Sequence, residues 1–142
     1  MIVGIGIDII EVARVKGVRD RHGDRFLRRI YAPAEIGTIR GNPDQFFAAR
    51  FAAKEAMFKA LGTGWNRGVR WVDVQVENLP SGQPVVHLSG GALERALELG
   101  ATHSHISISH TVDYAAAQVI LERRNEDVPT LGLALGAGRK TQ

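Results

Sequence analysis

Residues 2–10 alternate in a way that sorts them onto two sides of an extended chain: Val3, Ile5, Ile7 and Ile9 on one, Ile2, Gly4, Gly6, Asp8 and Ile10 on the other. The second side is nearly bare as far as Asp8. Glycines inside a strand commonly mark the close approach of another backbone or a ligand, so the pattern sets Asp8 beside room for something bulky. Two basic, weakly amphipathic segments follow over 11–19 and 24–31, and a short one starts near Pro33. The clearest helix opens with Asn42 as N-cap, Pro43 at its first position and Gln45 where a capping-box partner belongs. It should run to about Leu61, where Gly62 and Gly64 end it, and Trp65 to Gly68 should form a loop. A strand is expected over 69–77 and another over 84–89, joined through Pro80, Ser81 and Gly82. Residues 91–99 read as a helix stopped by Gly100, and 105–109 with 114–122 read as a strand pair around His110, Thr111, Val112 and Asp113.

The order of strand, helices, hairpin, helix and hairpin implies an α+β fold with mostly antiparallel pairing, its sheet wrapped around the long central helix. A twofold β-α-β-β plan is compatible with it, without an internal sequence repeat to support it. At 142 residues and 44% hydrophobic content there is material for one compact domain, placed at 1–124. Residues 125–142, with Gly132, Gly136 and Gly138, read as an extension, although Leu131, Leu133 and Leu135 could dock on the body.

Cysteine is absent, which removes disulfides and a thiol nucleophile and leaves Asp, Glu or His to hold any metal. A cytoplasmic setting fits, and the opening residues show neither a basic leader nor a membrane-spanning run. Net charge is +3, but it is concentrated early: between Glu11 and Arg40 eight basic residues face four acidic ones. Such a segment favours an anionic partner, with a solvated helical face as the plain alternative. Nucleic acid ranks below both, since only Phe26 and Tyr31 offer stacking aromatics there and no nucleic-acid motif occurs.

On the long helix the charges fall into two narrow groups, Arg50 with Lys54 and Glu55 with Lys59. Phe47, Phe51 and Phe58 flank the second group on one side; Ala52, Ala53, Ala56 and Ala60 flank it on the other. A helix with no polar face should be largely buried, so a glutamate and a lysine one turn apart on it need a partner or a ligand. A simple surface pair is the plain reading of such spacing, and capping of the following helix is the plain reading of Asp8. Two carboxylates and a lysine together suit Mg²⁺ beside a phosphate, because this ion prefers oxygen ligands and takes one or two carboxylates plus phosphate oxygens. Zinc fits less well: His103 and His105 share one side of a strand, His110 is out of phase with them, and no cysteine completes a set. His110 stands at a strand end, where it either meets a ligand or satisfies a turn.

Three stretches together resemble the holo-acyl-carrier-protein synthases. Residues Gly4-Ile5-Gly6-Ile7-Asp8-Ile9-Ile10-Glu11 resemble their first signature. Residues Arg50-Phe51-Ala52-Ala53-Lys54-Glu55-Ala56-Met57-Phe58-Lys59-Ala60, with Gly62-Thr63-Gly64 after them, resemble the second. The third is Ile106-Ser107-Ile108-Ser109-His110-Thr111, followed by Tyr114-Ala115-Ala116-Ala117. The resemblance covers residues 1 to about 123. It implies the 4′-phosphopantetheinyl transferase fold, a homotrimer with active sites between subunits, and transfer of phosphopantetheine from coenzyme A to a serine of an acyl carrier protein in fatty acid biosynthesis. Asp8 and Glu55 then match the Mg²⁺ positions and Lys59 the lysine that meets the coenzyme A phosphates. Arg50, Lys54, Gly62, His110 and Thr111 match further positions on the coenzyme side, and the turn Ser81-Gly82-Gln83-Pro84 a segment near the adenine. Arg14 and Arg21 are the first choices for docking the acidic carrier. The serine proton would pass to an ordered water or a carboxylate, Glu55 before Asp8, with His110 placing phosphate. Neither membrane nor nucleic acid is an implied partner. The rivals are a related transferase serving peptide or polyketide carriers and a non-catalytic coenzyme A-binding module.

Overall fold

The structure is a computed structural model and describes residues 1–64, 68–125 and 130–131. Trp65, Asn66 and Arg67 of the expected loop, and Gly132, Leu133, Leu135, Gly136 and Gly138 of the extension, lie outside the described residues. Among the described residues, five strands and five α-helices follow the expected order: β1 (Ile2–Glu11), α1 (Val12–His22), α2 (Asp24–Ile30), α3 (Pro33–Ile36), α4 (Pro43–Leu61), β2 (Val74–Asn78), β3 (Pro84–Leu88), α5 (Gly90–Glu98), β4 (His103–His110) and β5 (Tyr114–Glu122). Among the described residues all pairing is antiparallel: β1, β5 and β4 form one sheet in that order, and β2 with β3 forms a separate hairpin. The α+β fold is therefore as the sequence implies, with one β-α-β-β set and then α-β-β.

The α4 helix is the core. Phe47, Ala48, Ala52, Ala53, Ala56, Met57, Phe58 and Leu61 are buried around its circumference, as its lack of a polar face requires. The Asn42 side chain accepts from Asp44 N at 2.9 Å and Gln45 N at 3.2 Å, and Gly62 ends the helix in a left-handed conformation at φ 74°. Gln45 does not return a capping-box bond.

The bare side of β1 is filled by α4 itself. A Cβ on Gly6 would lie 1.9 Å from the Ala56 carbonyl oxygen, and one on Gly4 would lie 2.4 Å from that of Ala60. The space the glycines leave is thus taken by helix backbone, with Asp8 just past the end of that contact. The opposite side of β1 is open: Ile5, Ile7 and Ile9 are 59%, 65% and 67% exposed.

The strand expected to begin at Val69 begins instead at Val74. Asp73 Oδ2 accepts the Arg70 N–H at 3.0 Å, and this local bond turns Trp71–Asp73 into a short 3-10 segment. Leu131 is buried, and its carbonyl accepts Leu88 N–H at 2.8 Å, while Thr130 N–H donates to Thr102 at 3.0 Å. The extension accordingly returns to the body between β3 and the start of β4.

Candidate active site at the meeting of the first strand and the central helix

Asp8 and Glu55 line one cavity of about 520 Å³. Its walls come from the first helices and the core: Arg14, Val15, Phe26, Arg29, Phe51 and Trp71. Glycine contacts draw β1 against α4, which is why residues 47 positions apart share this space. Glu55 holds its proton more tightly than an ordinary glutamate; burial is the main cause and the neighbouring Asp8 charge the second, with Lys59 and Arg14 opposing them.

Lys59 closes the group from one turn further along α4. Its Nζ donates to Asp8 Oδ1 at 3.1 Å and to the Ile7 carbonyl at 2.9 Å. The side chain remains about half exposed and borders a second hollow of about 360 Å³ with Ile5, Gly6, Ile7 and Gln118. An ammonium has three N–H donors, so one is left for a ligand. Asp8 does not cap α1: the N-cap position is Glu11, which makes no side-chain cap bond.

Lys54 departs from the expected phosphate side. Lys54 is wholly buried and donates to Glu35 Oε1 at 2.8 Å, to the Trp71 carbonyl at 3.1 Å and to the Val74 carbonyl. All three donors of its ammonium are used, so in this fold it has none to offer a phosphate. Arg50 is 5% exposed, lies with its guanidinium carbon 3.9 Å from the Phe46 ring centroid, and donates to Asn78 Oδ1 at 2.7 Å. Asn78 in turn donates to the Gly82 carbonyl at 2.9 Å, so Arg50 braces the β2–β3 turn. Its buried Nε has no partner.

The remaining expected residues stand apart from the carboxylates within one chain. His110 and Thr111 are exposed at the end of β4, which β5 separates from β1, and the Thr111 hydroxyl accepts from Tyr114 N–H at 3.1 Å. Ser81, Gly82 and Gln83 form an exposed turn in which Gly82 has φ 91° and Ser81 Oγ accepts Gln83 N–H at 3.3 Å. Gly62 is exposed beyond Lys59, and Arg21 is exposed on α1 below Arg14. No cluster of three or more His, Cys, Asp or Glu occurs among the described residues. Glu35, Trp71 and Asn78 were missed by the sequence reading. Only Glu35 carried a local signal, as the acid three residues after Ala32, whose N–H it accepts at 3.0 Å.

The paired carboxylates suit a hard divalent cation. They are oxygen donors, Glu55 is already pushed toward its neutral form by burial and then by the Asp8 charge, and two of them leave positions for water and phosphate oxygens.

Comparison with known proteins identifies the family. Residues 4–119 match the family model of the 4′-phosphopantetheinyl transferase superfamily. A holo-[acyl-carrier-protein] synthase of Koribacter versatilis is 52% identical over 124 residues, covering 86% of this chain and 99% of that protein. One from Solibacter usitatus is 48% identical over 124 residues, with the same 86% and 99% coverage. Among solved structures, the holo-[acyl-carrier-protein] synthase of Neisseria meningitidis superposes with a TM-score of 0.79 at 34% identity, covering 87% of this chain and 100% of that one. That of Helicobacter pylori in complex with coenzyme A gives 0.75 at 31% identity, covering 83% and 99%.

Proposed function

Since this chain belongs to the 4′-phosphopantetheinyl transferase superfamily, among its holo-acyl-carrier-protein synthases, we propose that it joins the phosphopantetheine of coenzyme A to a serine of apo-acyl carrier protein for fatty acid biosynthesis. The serine oxygen bonds to the β-phosphorus of coenzyme A, the bond from that phosphorus to the bridging oxygen breaks, and 3′,5′-ADP leaves with the electron pair. The observation that carries this reading is the cavity edge shared by Asp8 of β1 and Glu55 of α4, with Lys59 donating to Asp8 beside it.

Asp8 and Glu55 would hold Mg²⁺, which supplies Lewis-acid stabilisation of a diphosphate when bound. Lys59 faces the same charge with its spare donor and stabilises what accumulates as the bond breaks. Glu55, whose affinity for a proton is raised, is the carboxylate assigned to take the serine proton. Arg14, on the cavity wall, and Arg21 receive the acidic carrier and bring its serine to the carboxylates, which makes the encounter effectively intramolecular.

A homotrimer belongs to the same proposal. The exposed Ile5, Ile7 and Ile9 give the sheet an apolar outer surface, and His110, Thr111 and the Ser81–Pro84 turn would meet Asp8 and Glu55 only across a subunit boundary. Residues 1–124 are read as the transferase unit and 125–142 as an appendix to it. Cytoplasmic location is likewise proposed; no described helix is long and apolar enough to cross a membrane. The test is to mix the protein with apo-acyl carrier protein, coenzyme A and Mg²⁺ and look by mass spectrometry for a pantetheine adduct on serine. An unmodified carrier after prolonged incubation would reject the reading.

A further inference from the structure

Lys54 and Glu35 form an ion pair with both side chains wholly enclosed. Attraction in such a pair is largely offset by the loss of water from both charges, so its presence adds little to stability over apolar packing. What it does here is hold backbone. One ammonium binds the carbonyls of Trp71 and Val74, at the two ends of the 3-10 segment. Glu35 binds that ammonium through Oε1 and reaches across to Val76 N–H through Oε2 at 3.1 Å. The segment that carries Trp71 is therefore fixed from both ends to α4.

Trp71 is where this matters. Its ring stacks on Phe51 with centroids 5.0 Å apart and planes 28° from parallel, and meets Phe58 edge-on at 5.0 Å. Phe51 and Trp71 then form one wall of the cavity whose edge holds Asp8 and Glu55 and whose rim holds Arg14. Neighbours in sequence, Lys54 and Glu55 leave the helix on different sides, one to set the wall and the other to do chemistry beside it.

We propose that Lys54, held by Glu35, is a positioning residue that sets the Trp71 wall of the acceptor side of the site and so governs carrier-protein engagement without touching coenzyme A. The assignment of that side to the carrier rests on the transferase reading above. Trp65 and Trp71 are the two tryptophans of the chain, so a Trp65→Phe background makes Trp71 the reporter. In that background Lys54→Met should change the emission maximum of Trp71 and increase its quenching by acrylamide; an unchanged spectrum and quenching constant overturn the proposal. In steady-state assays the same substitution should raise KM for the carrier about tenfold and leave KM for coenzyme A within about twofold. Equal changes for both substrates, or none, overturn it as well. Should Lys54→Met fail to fold, Glu35→Gln, which keeps the shape and an accepting oxygen, must give a weaker version of both signatures, and a variant with neither counts against the proposal. If the unmutated protein transfers nothing, the transferase reading falls, while the fluorescence measurement still decides whether Lys54 places Trp71.

Discussion

Glu55 is in a position no exposed glutamate occupies: partly withdrawn from water and facing a second carboxylate. A carboxyl whose folded pKa is raised favours the folded protein below its ordinary value of 4.5 and loses that contribution as pH climbs through the raised value. Cation binding runs the other way, because it needs the ionised form. The affinity of the protein for Mg²⁺ should therefore fall as pH decreases, starting above 4.5, and Glu55→Gln should flatten that dependence in calorimetric titrations at several pH values. Asp8→Ala or Glu55→Ala should abolish transfer; recovery of the full wild-type rate on adding Mg²⁺ alone would contradict their assigned role. In the proposed docking role, Arg14 and Arg21 act earlier, on encounter. Charge reversal at either should raise KM for the carrier and scarcely alter that for coenzyme A, and equal effects on the two substrates would refute the docking assignment.

Between elements, the decisive contact is β1 on α4. Gly6→Ala would push a methyl into the Ala56 carbonyl, which is main chain and cannot rotate aside. Overpacking of this kind costs about 1–3 kcal/mol, and urea denaturation should show at least that loss together with reduced turnover, since the strand also carries Asp8. Breaking the Glu35–Lys54 pair by Lys54→Met leaves a buried carboxylate without its cation and should destabilise the fold by about 3–5 kcal/mol in the same assay. Much of this level was legible in the sequence. Alternation marked β1, and Asn42, Pro43 and Gly62 marked both ends of α4, because caps and periodicity are local signals. Local signals also misled: Val69 to Glu77 alternates like a strand, yet Asp73 bends its first part into a turn by binding Arg70 N–H. The fate of Lys54 was hidden altogether. Its partner lies 19 residues away on another helix, and nothing in a helical wheel separates a lysine that meets phosphate from one that braces the core. Asp8, Glu55 and Lys59 could be grouped in advance because two motifs carry them, whereas Trp71 entered the cavity wall through tertiary packing alone.

For the molecule as a whole, the open side of the β1-β5-β4 sheet is an unanswered demand of the fold among the described residues. Ile7 stands midway along its edge strand β1, in register with Gln118 of β5, and is 65% exposed. Ile7→Glu should convert a trimer to monomers in sedimentation experiments and abolish activity with it, whereas a wild-type protein that sediments as a monomer would remove the proposed assembly. The reason lies in the division of residues already seen: one chain holds the carboxylates at one edge and keeps His110 and Thr111 beyond β5.

Leu131 leads to a more practical point. By accepting Leu88 N–H it occupies part of the β3 border that β2 does not cover. A shortened version stopping at Arg124 should still turn over substrate when fresh and dilute. Kept concentrated, it should slowly cloud, since a strand border stripped of its cover recruits neighbours.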